Sequence, residues 1–281
     1  MNHRANQSIA RTLFTRSVQK VLSLPTENDR AICSDDGSGH SLDTIELGGL
    51  LKLATQEIGR KIELLGMDAC LMSTLEVAYE VQGEVKVVVG SEELEPGAGW
   101  EYSALLRDLT QKPGMDGQEL GRQAVTRYIE SYQHLRRQWP VTQCAIDAGH
   151  IEAFSRMIDA LEQALHPQLG AHWPKVLSAQ RASVSFGNQF RLTDLASFCR
   201  NLTAATLGAG VQNAANAVLE ALHPGGYVIA EAHLGAEVDG CGGVSVYMPA
   251  PMEPISPYYK DLAFAKQHGW DQFLQAYHDA V

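Results

Sequence analysis

Short apolar runs rich in β-branched residues alternate along this chain with longer segments of helical period, and that alternation is what most constrains its fold. The short runs are Arg30 to Cys33, Lys61 to Gly66, Val85 to Val89, Val141 to Ile146, Tyr227 to Ala232 and Val244 to Met248. The helical segments are Ser8 to Leu22, Thr44 to Glu57, Ser73 to Val81, Tyr102 to Leu109, Asp116 to Gln138, Ile151 to Leu165, Leu192 to Leu202, Val211 to Leu222 and Tyr258 to Tyr277, the last broken near Gly269. Strands set between helices predict an α/β architecture in which helices cover a largely buried sheet.

Local signals refine this. Asp43, followed three residues later by Glu46, reads as a capping box, each side chain satisfying a backbone N–H that the first helical turn leaves unpaired. The polar loop Ser34 to Ser41 then lies between a strand and a helix. Pro167, Gly170 and Pro174 interrupt the helical pattern over His166 to Ser185. That segment is either a sub-boundary or a long connection inside a single domain spanning residues 1–281.

At 281 residues the chain can bury one substantial core or two modest ones. A formal net charge of −11 with dispersed basic residues disfavours nucleic acid and anionic membranes and is better suited to a cationic partner. No apolar run approaches the ~20 residues that span a bilayer, and Met1 to Lys20 lacks the apolar core of a secretory signal, so a soluble, non-exported chain is expected. Cys33, Cys70, Cys144, Cys199 and Cys241 show no CxxC or Cys/His ligand spacing. Neither a zinc site, a cofactor nor a disulfide framework is expected from them, and the odd count leaves a free thiol or an intermolecular bond.

The stretch Lys61-Ile-Glu-Leu-Leu-Gly-Met-Asp-Ala-Cys70-Leu-Met-Ser-Thr-Leu-Glu-Val-Ala-Tyr79 carries the most chemistry. An apolar strand runs into Gly66, a polar turn presents Asp68 and Cys70, and a helix begins near Ser73 or Thr74. The C-terminal ends of strands are where α/β sheets present nucleophiles, and a helix N-terminus favours thiolate, whereas Asp68 repels it. Composition alone reads Cys70 as a buried small hydrophobe.

Three segments shift that reading. Leu64-Leu-Gly-Met-Asp-Ala-Cys-Leu-Met, then Glu76-Val-Ala-Tyr-Glu80, then Gly90-Ser-Glu-Glu-Leu-Glu-Pro-Gly-Ala-Gly-Trp100 resemble the clostripain (C11) family of cysteine peptidases. Val244-Ser-Val-Tyr-Met-Pro249, Tyr258-Tyr-Lys-Asp-Leu-Ala-Phe264 and Gly269-Trp-Asp-Gln-Phe273 are similar to its C-terminal part, and Arg30 to Asp36 with Leu42 to Leu47 to the approach to its nucleophile strand. The likeness covers residues 8 to 281 and implies a caspase-like α/β/α sandwich with a mostly parallel central sheet.

It also implies a mechanism acting on a peptide or protein substrate. Cys70 attacks the scissile carbonyl, its own backbone N–H helps hold the oxyanion, and a histidine moves the protons. That histidine is expected upstream, at a strand end in a His-Gly-x-Gly setting. His40 follows a strand but is succeeded by Ser41, and His3 has Arg4 where the family has glycine. His268-Gly269 mimics the motif but sits in the C-terminal stretch between helical runs. The expectation is a chain beginning downstream of the family's first strand and His-Gly motif, either an active endopeptidase with His40 as its candidate base or an inactive homologue acting as a binding or regulatory domain.

Family members that cut after Arg or Lys line the primary pocket with two acidic residues, since a buried cation needs opposed carboxylates. One matches Asp68; at the other this chain has Ala98, so basic preference is weakened. Without the resemblance, Gly97-Ala98-Gly99 is a tight surface turn. Asp35, Asp43 and Glu46 imitate EF-hand spacing, but His40 replaces the glycine such a loop requires. The pairs Glu92/Glu93 and Asp35/Asp36 read as solvated loop charges whose side chains point apart, and Tyr258/Tyr259 with Trp270/Phe273 as helix packing.

Overall fold

The computed structural model describes residues 42–135, 139–186 and 191–281. The runs called Ser8 to Leu22 and Arg30 to Cys33, and with them His3, His40, Asp35 and Asp36, lie outside those residues. The chain opens with α1 (Thr44–Ile58), β1 (Ile62–Gly66), α2 (Leu75–Val81), β2 (Val85–Gly90), α3 (Tyr102–Gln111), α4 (Gly117–Gln133) and β3 (Val141–Asp147). It continues with α5 (Ile151–Leu165), α6 (Leu169–Arg181), β4 (Ser185–Phe186), β5 (Leu192–Asp194), α7 (Leu195–Ala204), α8 (Ala209–Ala221), β6 (Val228–Leu234), β7 (Ser245–Tyr247), α9 (Ala263–Gln267) and α10 (Trp270–Asp279).

A four-stranded sheet in the order β1-β2-β3-β6 forms the centre, and β4, β5 and β7 form a smaller antiparallel sheet beside it. The period of two along each strand sorts residues between two faces. Val87, Val89, Ala145 and Ile229 meet Ala124 and Val125 of α4 on one face, while Val88, Cys144, Ile146 and Val228 join the larger core containing α2, α5 and α8 on the other. Helix α4 approaches very closely, since a Cβ at Gly117 would lie 2.4 Å from the Glu63 carbonyl oxygen and one at Gly121 would lie 3.1 Å from Ala145 Cβ. With both faces covered, β2 is buried at every position but Lys86, as the apolar runs predict.

The α/β/α sandwich is as expected, but among the described residues its sheet is mixed rather than mostly parallel: β1 pairs parallel with β2, whereas β2–β3 and β3–β6 are antiparallel. Two helices, not one, separate β2 from β3. Helix α4 starts beside Glu63 and Val87 and ends where Tyr132 reaches Gly99, so the second pass returns the chain to the end at which β2 finished. From there β3 can only run back down.

The capping box forms, with Glu46 N–H donating to Asp43 Oδ1 at 2.8 Å and Asp43 N–H to Glu46 Oε2 at 3.0 Å. Two segments differ from the sequence reading. Leu192 to Asp194 is strand rather than helix, because Asp194 accepts the Ser197 N–H and α7 starts only there. His166 to Ser185 is not an interruption: a 3₁₀ turn (His166–Gln168) leads into α6, which retains Pro174 inside it. Burial of Leu169, Val176 and Ala179 against the core outweighs the missing N–H. The same buried cluster includes Leu47 and Tyr277, on either side of that segment.

The C-terminal break occurs at His268 and Gly269, between α9 and α10. Tyr259, Trp270 and Phe273 are buried packing residues, as read from the sequence, while Tyr258 is largely exposed. Among the described residues no helix is long and apolar enough to cross a membrane.

Candidate active site

Strand β1 delivers the chain to a turn at Cys70 and Leu71 beyond the C-terminal ends of β1 and β2. Backbone pairing holds this turn along its length: Met67 N–H donates to Val89 O at 2.9 Å, Leu71 N–H to Glu93 O at 3.3 Å and Ser73 N–H to Ser91 O at 2.9 Å. On the other side Ser245 N–H donates to Ser73 O at 3.0 Å. Leu71 has φ of 63°, a left-handed conformation that costs a non-glycine residue about 1–2 kcal/mol. Its side chain is nonetheless buried.

The Cys70 side chain is 3% exposed, and its Sγ accepts the Glu95 N–H at 3.1 Å. A donor on sulfur favours thiolate, while the Glu95 carbonyl oxygen, 3.9 Å from Sγ, accepts from the thiol form. Helix α2 starts at Leu75, after its Thr74 cap, so a Glu95 amide rather than a first-turn helix amide supplies this contact.

Asp68 shares the turn. Its Oδ2 accepts the Trp100 N–H at 3.3 Å and the Tyr102 hydroxyl at 2.9 Å. Burial and then Asp68 push the Tyr102 phenol up to about 12. Ala98 is exposed at the tip of a turn closed by Gly99 N–H donating to Pro96 O at 3.0 Å. Asp68 therefore does not face a second carboxylate at residue 98.

Glu95 is the neighbouring acid that sequence reasoning passed over. It is 5% exposed and accepts the Trp100 indole N–H at 3.2 Å, so Trp100 donates through its main chain to Asp68 and through its ring to Glu95. Tyr128 lies under this group. Burial, then the charges of Glu95, Tyr132, Cys70 and Asp68, raise its hydroxyl far above the ordinary phenol range. Within the Gly90-to-Trp100 segment nothing in the sequence separates Glu95 from Glu92 and Glu93.

Two sequence-named groups lie elsewhere. His268 Nδ1 is 2.8 Å from Asp159 Oδ2, and its ring packs on Tyr79 and Phe264, which places it among α2, α5 and α9. Glu92 is not a solvated loop charge, as its pairing with Glu93 suggested, but fully buried. The loop after β2 runs against Thr142, whose Oγ1 accepts the Glu92 N–H at 2.9 Å, and this turns the Glu92 side chain inward to the Gly243 N–H. The four cysteines Cys70, Cys144, Cys199 and Cys241 are buried and unbridged, and burial raises the Cys144, Cys199 and Cys241 thiols above the usual range.

Fold and turn together define an α/β sandwich that presents a thiol and a carboxylate at the C-terminal end of a strand. The family model of the clostripain family matches residues 22–277, and the chain belongs to that family of C11 cysteine peptidases. Solved structures share the fold. A Bacteroides thetaiotaomicron clostripain in complex with the peptide inhibitor BTN-VLTK-AOMK is 14% identical, covers 82% of this chain and 95% of its own, and superposes with a TM-score of 0.60. A secreted C11 cysteine protease of Bacteroides thetaiotaomicron, iotapain, is 13% identical over 92% of this chain and 68% of its own, with a TM-score of 0.62. A Parabacteroides distasonis C11 protease described as an inactive zymogen is 18% identical over 76% of this chain and 61% of its own, with a TM-score of 0.57. No curated protein matches the chain.

Proposed function

We propose that this chain is a cysteine endopeptidase in which Cys70 is the nucleophile and Asp68 selects a basic side chain at the residue before the cleaved bond. The observation that carries the reading is the contact of Cys70 Sγ with the Glu95 N–H at 3.1 Å, in a turn that also holds Asp68. The Cys70 thiolate adds to the scissile carbonyl carbon, forming a C–S bond while the carbonyl electron pair moves onto oxygen. The Cys70 N–H is the donor we assign to that oxyanion. Collapse breaks the C–N bond, the amine leaves with a proton from the general acid, and water then hydrolyses the thioester to release acid and thiolate.

His40 is the residue we assign to the acid–base role, with His3 the second candidate. Basic selectivity rests on Asp68 alone at the primary pocket, weakened by Ala98. Peptide substrates are supported by the inhibitor-bound relative, and one peptidase domain across the chain is supported by the core shared on either side of residues 166–185.

An arginine- or lysine-based acyloxymethyl ketone tests the proposal. The full chain should be labelled rapidly and stoichiometrically, with labelling lost in Cys70→Ala and slowed in His40→Ala. Soluble, folded protein that neither labels nor cleaves a peptide library would leave an inactive homologue acting by binding. Normal turnover in His40→Ala, with His3→Ala inactive, would move the base to His3.

A further inference from the structure

We infer that Glu231, His233 and Cys241 form a binding site for a thiophilic divalent cation of the zinc type. Glu231 and His233 are two apart on β6 and share a face of the strand, while Cys241 returns from the loop after a 3₁₀ turn (Ala236–Val238), fixed by its N–H donating to Val238 O at 3.1 Å. His233 Nδ1 is 2.6 Å from Glu231 Oε1, and Cys241 Sγ is 3.8 Å from the same oxygen. The three ligand atoms lie within 4.8 Å of one another. Zinc bonds of about 2.0–2.3 Å arranged tetrahedrally separate ligand atoms by roughly 3.5 Å, so seating an ion would replace the 2.6 Å His233–Glu231 hydrogen bond by opening that pair, while Cys241 Sγ at 3.8 Å needs little movement.

Glu92 supplies an independent observation. Its carboxylate is fully buried, Oε2 accepts the Gly243 N–H at 2.9 Å, and Oε1 has no hydrogen-bond partner among the described residues. The glycine it binds lies against the cluster, since a Cβ at Gly243 would be 2.8 Å from Glu231 Cγ, so the Glu92 carboxylate is a buried acid beside the three ligands. Asp194 is occupied, with Oδ1 accepting the Ser197 N–H at 2.5 Å and Oδ2 the Gly242 N–H at 2.8 Å. Burying carboxylates beside one another without a cation is costly, and a divalent ion bound next to Glu92 offsets the repulsion.

The ligand types choose the ion. Calcium and magnesium take oxygen ligands, whereas thiolate, imidazole and carboxylate together suit zinc. The remaining ring nitrogen of His233 is 3.8 Å from Asp239 Oδ1, where a carboxylate would orient a metal-bound imidazole. The His233 and Glu231 side chains are 25% and 20% exposed, which leaves an entry path.

The test uses the full chain, stripped with a chelator and titrated separately with Zn²⁺ and Co²⁺, and it does not depend on peptidase activity. One ion per chain is expected. Co²⁺ should produce a thiolate-to-metal charge-transfer band that Cys70→Ala keeps and Cys241→Ser abolishes. His233→Ala, at a partly exposed position compatible with folding, should weaken Zn²⁺ binding by about tenfold or more. No stoichiometric binding, calcium binding without zinc binding, or unchanged affinity in a folded His233→Ala would overturn the site.

Discussion

Gly99→Ala isolates the contact between the Gly97–Gly99 turn and Asp68. Gly99 has φ of 67°, and a Cβ there would lie 2.6 Å from Asp68 Oδ2 and 2.9 Å from Oδ1. The left-handed backbone alone should destabilise the fold by about 1–2 kcal/mol. The clash is a separate effect, relieved only if the Asp68 carboxylate moves away from the Trp100 N–H and the Tyr102 hydroxyl. Losing one hydrogen bond to a charged group costs about 1.5–3 kcal/mol, and each 1.4 kcal/mol is about tenfold in rate. If Asp68 binds the basic side chain, kcat/KM for Arg and Lys substrates should fall about 10–100-fold, with a smaller change for neutral ones. The assay is a fluorogenic peptide panel varied at the residue before the cleaved bond, with urea unfolding in parallel. Gly49→Ala is the control: Gly49 sits on α1 with nothing within 4 Å of the added Cβ, and its stability should rise by about 0.8–1 kcal/mol at unchanged selectivity. A folded Gly99→Ala with the parent's ratio of basic to neutral kcat/KM would refute Asp68 as the selector.

Glu76 is fully buried, and burial raises its carboxyl above the usual range despite the Tyr247 N–H and Tyr259 hydroxyl, which pull it down. A raised folded value gives stability that is complete below the unfolded carboxylate range and lost as pH rises through the folded value; Glu76→Gln keeps an acceptor but no charge. Its stability advantage should grow by up to about 1.4 kcal/mol per pH unit above about pH 4 in urea unfolding, and a pH-independent difference would contradict this. Leu71→Gly relieves about 1–2 kcal/mol of left-handed strain but forfeits a buried leucine, at about 2–5 kcal/mol, so net destabilisation is expected and a stabilised variant would mean that strain outweighs packing. Asp43→Ala removes the capping box and should lower stability by about 0.5–2 kcal/mol in the same assay, no change being the contrary result.

Strand β2 was legible because it is buried on both faces and reads as a nearly unbroken apolar run, whereas β1 and β6 are only partly buried and were legible from their short apolar runs. Strand direction was not, since it depends on how many helical passes separate β2 from β3, and α3 and α4 look alike whichever way they run. Helix α6 was hidden by Pro174, whose local cost is real but smaller than the packing of Leu169 and Val176. Leu192 misled because it keeps the helical spacing to Leu195 while pairing with Tyr247 in the small sheet. In the site, Asp68 and Cys70 were legible as neighbours in one motif. Glu95 and Glu92 were not distinguishable from loop charges, because their burial depends on Trp100 and Gly243, far from them in pattern or in sequence. Glu231, His233 and Cys241 have no motif spacing, as a strand supplies two of them through its alternation and a separate loop supplies the third.

The loop Ser91 to Glu95 joins the Cys70 turn to the acidic cluster. At one end the Glu95 N–H contacts the Cys70 sulfur, and at the other the Glu92 carboxylate takes the Gly243 N–H beside the Cys241 thiol. Gly243 also accepts the Ser73 hydroxyl at 2.5 Å, and Ser73 follows Cys70 by three residues. The thiol turn and the acidic cluster are thus joined twice, through Glu92 and through Ser73, across backbone that is pinned on both sides. Gly243 is the shared point, and it has no room to adjust: φ is 87°, and a Cβ there would lie 2.7 Å from Cys144 Sγ and 2.8 Å from Glu231 Cγ. A cation held by Glu231 and Cys241 beside Gly243 would therefore bear on the same segment that sets the Glu95 N–H against the Cys70 sulfur. The buried acids and the Cys70 turn thus share one anchor, Gly243, reached by Glu92 from one side and by Ser73 from the other.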